Sequence, residues 1–432
     1  MKYFIGIGGI GISALAKFYL EKGEKITGSD AYDSELLETL RRAGANIFIG
    51  QKKENLPENC TEVIYTTAAE NNPETEEARQ RGLKLLTYAE ALGELTKNYF
   101  TIAVSGTHGK STTTSMIGLL LIEAGLDPTV IVGTKLKEFD NTNFRAGKSK
   151  YMVIEACEHE AAFLNYYPQI GVITNIEADH LDYYKSLDNI KKAFKEFALH
   201  IQSDGFLVKE RGLDIKANGK EVNFSLEDEE IQKIKQIIQL PGKHIILDAL
   251  ITFKIGQILG IEEDVILKSL SKFKGSWRRF DTSNVGSYIF IDDYAHHPTE
   301  INTTLNAVRE KYKNEKICCV YEPHQYQRTY NLFDDFIYAF KDNLNEKNID
   351  KLVLLPVYDV VGREGNDKLK EKYNSKVLSE KILDQRCVYL DDYQRITNEI
   401  ADYDVVIMMG AGTIYAISQK IKKEITGSCE LS

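Results

Sequence analysis

Ala103-Val104-Ser105-Gly106-Thr107-His108-Gly109-Lys110-Ser111-Thr112-Thr113-Thr114 decides how this chain is read. An apolar run at 100–104 precedes it, and a helical pattern over 116–122 follows. Strand, glycine turn, helix is the order that a phosphate-binding loop requires. The glycines let backbone N–H groups point inward, the helix N-terminus adds positive potential, and Lys110 supplies a cation. Ser111 offers a hydroxyl to the magnesium that accompanies a nucleoside triphosphate. Val104 stands where the general pattern has its first glycine, so only Gly-Lys-Ser fits strictly. The plainer alternative is a Gly/Thr-rich turn, but Lys-Ser-Thr-Thr-Thr makes a poor turn without a ligand.

Upstream, a strand at 2–5 runs into Gly6-Ile7-Gly8-Gly9-Ile10-Gly11, and a second strand at 24–30 closes on Asp30. This is a dinucleotide-type opening. Gly8, Gly9, Ile10 and Gly11 can approach a diphosphate, and Asp30 is spaced to reach a ribose. Helical and strand patterns then alternate to about residue 98, which gives an α/β unit over 1–98.

Downstream of the phosphate loop, strands at 129–132, 151–154 and 170–174 are expected. The second of these ends in Glu155-Ala156-Cys157-Glu158, and the third in Asn175-Ile176-Glu177-Ala178-Asp179-His180-Leu181-Asp182. Parallel α/β sheets collect ligands outside the carboxyl ends of their strands. Lys110, Ser111, Glu155, Glu158, Asp179 and His180 are therefore expected on one rim, with carboxylate, hydroxyl and imidazole as magnesium or manganese ligands. Residues 203–239 are charged and show little strand signal, so they read as solvated. Order restarts at Leu240-Pro241-Gly242-Lys243-His244 and leads through two helices to Gly275-Ser276-Trp277-Arg278-Arg279-Phe280. Arg279 is a surface charge or part of a phosphate clamp.

A third unit follows, again with polar residues just after strands. They are Asp293-Tyr294-Ala295-His296-His297-Pro298, Glu322-Pro323-His324-Gln325-Tyr326-Gln327-Arg328-Thr329, Asp359-Val360-Val361-Gly362-Arg363-Glu364-Gly365, and Gly410-Ala411-Gly412. The expected fold class is α/β in three domains. These are a Rossmann-like N-terminal domain over 1–98, a P-loop ATPase-type central domain over 99–281, and a Rossmann-like C-terminal domain over 282–432.

The 432 residues exceed one ordinary core, and 43% hydrophobic content can fill several. A net charge of −10 disfavours nucleic acid as a partner. The six cysteines form no Cys-x-x-Cys pair and read as reduced thiols. The apolar N-terminus imitates a signal peptide, but the glycine turn explains it better. No run approaches the roughly 20 apolar residues of a membrane span, so a cytoplasmic protein without a membrane partner is expected.

With these stretches in hand, the chain resembles the Mur ligases of peptidoglycan synthesis. The resemblance runs in order through Gly6–Gly11, Gly106–Thr113, Glu155–Glu158, Thr174–Asp182, Arg278–Phe280, Asp293–Glu300, Pro323-His324 with Arg328-Thr329, and Gly410–Gly412. It implies ATP, divalent magnesium or manganese, and the substrates UDP-N-acetylmuramate and L-alanine, joined through an acyl phosphate. It further implies a C-terminal domain that closes over ATP. By resemblance, Gly8, Gly9, Ile10, Gly11, Asp30 and Glu158 serve the UDP substrate, and Gly106, Thr107, His108, Gly109, Lys110, Ser111 and Thr112 cradle phosphates. Ser111, Glu155 and His180 hold metal, and Asp293 holds the ATP ribose beside Arg279 and His296. His324 and Arg328 line the muramate and amino-acid end, so that Lys110, Glu155, His180, His324 and Arg328 form the catalytic set. The family's usual asparagines after the Pro-Gly-x-His histidine are here Ile245 and Asp248, and Asp248 is expected to face the adenine. Competing readings are a ligase that joins a whole peptide to the same sugar, a nicotinamide-dependent dehydrogenase, and a nucleotide switch. The second phosphate loop and its strand-end ligands argue against the dehydrogenase.

Overall fold

The computed structural model describes residues 1–359 and 366–427, so 360–365 of the Asp359 stretch lie outside the described residues. The described chain forms three sheets. It divides into two compact units, one of Met1–Ile237 with Leu247–Phe273 and one of Ile238–Ile246 with Lys274–Ser432.

The first unit holds two of the sheets. β1 (Lys2–Ile5), β2 (Ile26–Asp30), β3 (Asn46–Ile49), β4 (Glu62–Tyr65) and β5 (Lys84–Thr87) pair in the order β3-β2-β1-β4-β5. All their pairings are parallel. The strand order reverses beside β1, which is where such sheets bind ligands, and the Gly6–Gly11 turn leaves β1 at that point.

The second sheet contains β6 (Phe100–Ser105), β7 (Thr129–Leu136), β8 (Thr142–Arg145), β9 (Tyr151–Glu155), β10 (Ile170–Ile173), β11 (Phe206–Glu210) and β12 (Lys220–Phe224). Its order is β12-β11-β10-β6-β9-β7-β8, parallel except for the β7–β8 hairpin. β6 is buried between β10 and β9. Val104 stands opposite Glu155 and Ser105 opposite Ile173. That register makes the phosphate loop, the Glu155–Glu158 turn and the Thr174–His180 turn leave the sheet side by side.

One expectation is corrected here. Residues 203–239 are not a loose solvated stretch, since they form β11, β12 and the helix Glu230–Ile237. β12 is largely exposed at the sheet edge, so charged residues occupy it without breaking the ladder. The edge strand β8 and the helix Tyr88–Thr96 were also not anticipated.

In the second unit, β13 (Asp281–Val285), β14 (Tyr288–Asp293), β15 (Ile317–Glu322), β16 (Lys351–Leu354), β17 (Cys387–Tyr389) and β18 (Val405–Gly410) pair in the order β13-β14-β18-β15-β16-β17. Only β13 runs antiparallel to its neighbour. Cys318 and Cys319 are buried free thiols in β15. Among the described residues, no helix is long and apolar enough to cross a membrane.

Candidate active site

Gly106 and Gly109 both adopt positive φ, 135° and 82°, which glycine alone takes without strain. Gly109 caps the helix Lys110–Glu123, whose first turn therefore starts at the lysine. A side chain at Gly106 would collide with Thr174, so the loop wraps against the end of β10. Asn175 locks it there. Its Oδ1 accepts the His108 N–H at 2.9 Å, its Nδ2 donates to the His108 carbonyl at 3.1 Å, and its own carbonyl accepts the Thr107 N–H at 3.1 Å. Thr107 is bonded in turn by the Glu177 N–H at 2.8 Å.

Lys110 curls over this loop. Its ammonium donates to the carbonyls of Gly106 (2.6 Å) and Thr107 (2.9 Å) and pairs with the Glu158 carboxylate at 3.0 Å. The Glu158 side chain is buried, at 4% exposure, and the Lys110 side chain is nearly so, at 13%. Burial is the largest single influence and works to lower the lysine pKa, but the charge and hydrogen bond of Glu158, with Cys157 and Glu155 behind them, together outweigh it and raise the pKa, so Lys110 stays a cation. On the neighbouring strand, Glu155 is fixed by the Gly133 N–H, which donates to Oε2 at 2.8 Å. A Cβ at Gly133 would lie 2.6 Å from that same oxygen, so the approach depends on glycine.

His180 completes the rim, with Nε2 3.8 Å from Glu158 Oε1 and 3.6 Å from Asp179 Oδ2. The His159 ring meets it edge-on at 4.6 Å. Glu160, Ala161 and His180 all hold positive φ, between 51° and 56°. Such strain in non-glycine residues gathers at functional sites.

The Gly6–Gly11 turn is built differently. Asp30 Oδ2 accepts the Gly8 N–H at 2.8 Å, and the helix Ile10–Glu21 starts after Gly9 with no side-chain cap. Across the first unit, the fully buried Asn143 of β8 donates to the Ile10 carbonyl and to Ser13 Oγ (3.2 Å), and accepts from the Lys17 ammonium at 3.3 Å.

In the second unit, the ends of β14 and β15 bring His296, His324 and Arg328 together. The His296 and His324 rings lie 6.1 Å apart, and Arg328 Nη1 is 3.2 Å from His324 Nδ1. His324 stacks on Tyr358 at 5.5 Å. Arg279 lies 4.9 Å over the Tyr294 ring, and Arg278 hydrogen-bonds the Gly410 carbonyl at 2.5 Å.

Three family models match the chain in order. "Mur ligase family, catalytic domain" covers residues 2–100, "Mur ligase middle domain" covers 104–240, and "Mur ligase, glutamate ligase domain" covers 278–412. The chain belongs to the Mur ligase family. A UDP-N-acetylmuramate–L-alanine ligase of Clostridium botulinum is 39% identical over 454 residues, with 96% of each chain covered. The crystal structure of a UDP-N-acetylmuramate–alanine ligase from Thermotoga maritima superposes with a TM-score of 0.82 at 25% identity, covering 99% of both chains. A murein peptide ligase from Psychrobacter arcticus shares the fold, with a TM-score of 0.73 at 21% identity over 98% of both chains.

The donor set of this Mur ligase suits a divalent cation. Ser111 in the first turn of the helix after β6, Glu155 at the end of β9 and His180 after β10 follow three adjacent strands, and hydroxyl, carboxylate and imidazole are groups that could hold such an ion. Among the described residues, Glu158 Oε2 is buried without a hydrogen bond, and the Lys110 charge balances it.

Three carboxylates that the sequence reading assigns to ligands make bonds within this Mur ligase. Asp30 pins Gly8, as above. Asp293, expected at a ribose, is buried and accepts from the Phe280 N–H (2.8 Å), the Ala295 N–H (2.9 Å) and Thr304 Oγ1 (3.1 Å). Asp248, expected at the adenine, lies inside the first unit, where Oδ1 accepts from Thr113 Oγ1 at 2.9 Å. A Cβ at Gly109 would stand 2.6 Å from that oxygen, so Asp248 packs against the phosphate loop itself. Asn175 lay inside a quoted motif, but its role was not legible there. Asn143 carried no sequence signal.

Proposed function

We propose that this Mur ligase joins L-alanine to the lactyl carboxylate of UDP-N-acetylmuramate at the expense of ATP, in peptidoglycan precursor synthesis in the cytoplasm. The observation that carries the proposal is the buried Lys110–Glu158 pair at the strand-end rim, in a chain 39% identical to a ligase of that name. Residues 1–98 would bind the UDP substrate, 99–281 ATP, and 282–432 the amino acid.

A carboxylate cannot expel oxide at neutral pH, so activation comes first. A lactyl oxygen attacks the γ-phosphorus, ADP departs, and an acyl phosphate forms. The L-alanine nitrogen then attacks the acyl carbon, loses a proton, and inorganic phosphate leaves with the bridging oxygen. Lys110 is held cationic where negative charge builds on the transferred group. Gly106 to Thr112 cradle the phosphates with backbone N–H groups, and His324 with Arg328 orients the amino-acid carboxylate. Mg2+ or Mn2+ held by Ser111, Glu155 and His180 would supply Lewis acidity toward phosphoryl oxygens.

The deciding experiment measures phosphate release with ATP, UDP-N-acetylmuramate and a panel of amino acids. L-alanine-dependent release is expected. Release only with a tripeptide would transfer the chain to the peptide-joining reaction, and NADH binding without ATP turnover would sink both.

A further inference from the structure

Gly11 belongs to the turn that opens like a diphosphate-binding loop, yet what presses on it is a ring. A Cβ at Gly11 would lie 2.8 Å from Tyr88 Cζ and 3.0 Å from the Tyr88 hydroxyl oxygen. In this chain, therefore, Gly11 is glycine to admit Tyr88 over the first turn of the helix Ile10–Glu21. Tyr88 is the first residue of its own helix, Tyr88–Thr96, whose start is fixed by reciprocal bonds between Thr87 and Glu90. Further along, Gly93 packs so closely on the Asn165 carbonyl that no side chain would fit. The ring itself is wedged between the apolar cores of the first two sheets. Its position is thus over-determined by packing.

The hydroxyl is not needed for that packing. Among the described residues it makes no hydrogen bond within the protein. Burial raises the phenol pKa, and the negative charge of Glu155 adds to the effect, so the group stays a proton donor at neutral pH. The ring edge that lies against Gly11 is the one that carries the hydroxyl, so the donor sits beside the Gly8–Gly11 turn. A rigid phenol with an unspent donor, set over an uncapped helix N-terminus, is matched to an anionic oxygen.

We infer that Tyr88 is a binding residue for the nucleotide-sugar substrate, its hydroxyl donating a hydrogen bond to the diphosphate held at the Gly8–Gly11 turn. The inference rests on the ligase reading and adds a residue to it.

The test is Tyr88→Phe, which keeps the ring on Gly11 and deletes only the donor. Binding of UDP-N-acetylmuramate, of UDP alone and of ATP is measured by calorimetry, with thermal midpoints as a control. A hydrogen bond to a charged acceptor predicts a loss of roughly tenfold to a hundredfold in affinity. Equal losses for UDP-N-acetylmuramate and UDP are expected, with ATP affinity and thermal midpoint unchanged. Wild-type affinity in the variant overturns the assignment, and so does an equal loss for ATP. A loss for the sugar nucleotide but not for UDP places the contact on the sugar and overturns the diphosphate assignment. Failure of the wild-type protein to bind either uridine nucleotide overturns the ligase reading itself, and the Tyr88 assignment with it.

Discussion

The Gly133 N–H holds Glu155 Oε2 at 2.8 Å, and the hairpin that supplies it also carries Asn143, which grips the first turn of the helix behind the Gly6–Gly11 turn. One β7–β8 hairpin thus touches both Glu155 and the Gly6–Gly11 turn. Gly133 has an ordinary backbone conformation, so alanine there adds only a methyl group against the movable end of Glu155. Gly133→Ala is expected to fold normally while displacing the carboxylate. The Mg2+ concentration for half-maximal turnover should rise about tenfold, roughly one lost hydrogen bond, with the melting temperature shifted little. An unchanged Mg2+ titration would remove Glu155 from the metal site.

Lys110→Met is expected to abolish phosphate release while leaving UDP-N-acetylmuramate affinity intact. It also leaves Glu158 buried without its counter-charge, which costs about 3 kcal/mol. Adding Glu158→Gln should restore most of that stability in denaturant titrations without restoring turnover. If the double variant is no more stable than the single one, the pair is not what balances Glu158.

Asn143→Ala removes the acceptor of the buried Lys17 ammonium and two donors to the neighbouring helix. A loss of about 2 kcal/mol is expected, because buried groups are left unsatisfied. Lys17 has no carboxylate partner among the described residues, and burial, reinforced by Lys135, lowers its pKa to about 8. Lys17→Met in the Asn143→Ala background should therefore cost nothing further or even stabilise. Additive losses would show that the two residues act independently.

His244 gives the acid limb of stability a specific source. Burial, with the Arg279 charge second and Glu300 opposing, lowers its pKa from 6.5 to about 4. Its Nδ1 is buried with no hydrogen-bond partner among the described residues. Between these two values the unfolded chain binds a proton that the folded chain refuses, so stability falls as pH drops from 6.5 toward 4. From pH 7 to pH 5 this group alone should remove about 2 kcal/mol. Denaturant midpoints at both pH values should show a smaller acid loss in His244→Gln than in the wild-type protein. Equal losses would place the acid sensitivity elsewhere.

The sequence by itself determined the α/β class, both glycine turns and the rim residues. Those signals are local: apolar runs, glycines where φ turns positive, and polar groups just past a strand. Edge strands escaped because burial does not pattern them. β12 and β13 are half exposed, and their charged or polar residues read as loop.

Only the tertiary structure decided which rim residue meets which. Lys110 and Glu158 lie 48 positions apart, Ile10 and Asn143 133, and Thr113 and Asp248 135. Strand register brings the Lys110 and Glu158 loops out side by side, the β7–β8 hairpin carries Asn143 to Ile10, and packing of the helices Lys110–Glu123 and Lys243–Ile258 joins Thr113 to Asp248. Folding also brings donors of the protein to Asp30, Asp248 and Asp293. A carboxylate in a motif looks alike whether or not an N–H or hydroxyl of the protein meets it, and only the folded chain brings those donors within reach.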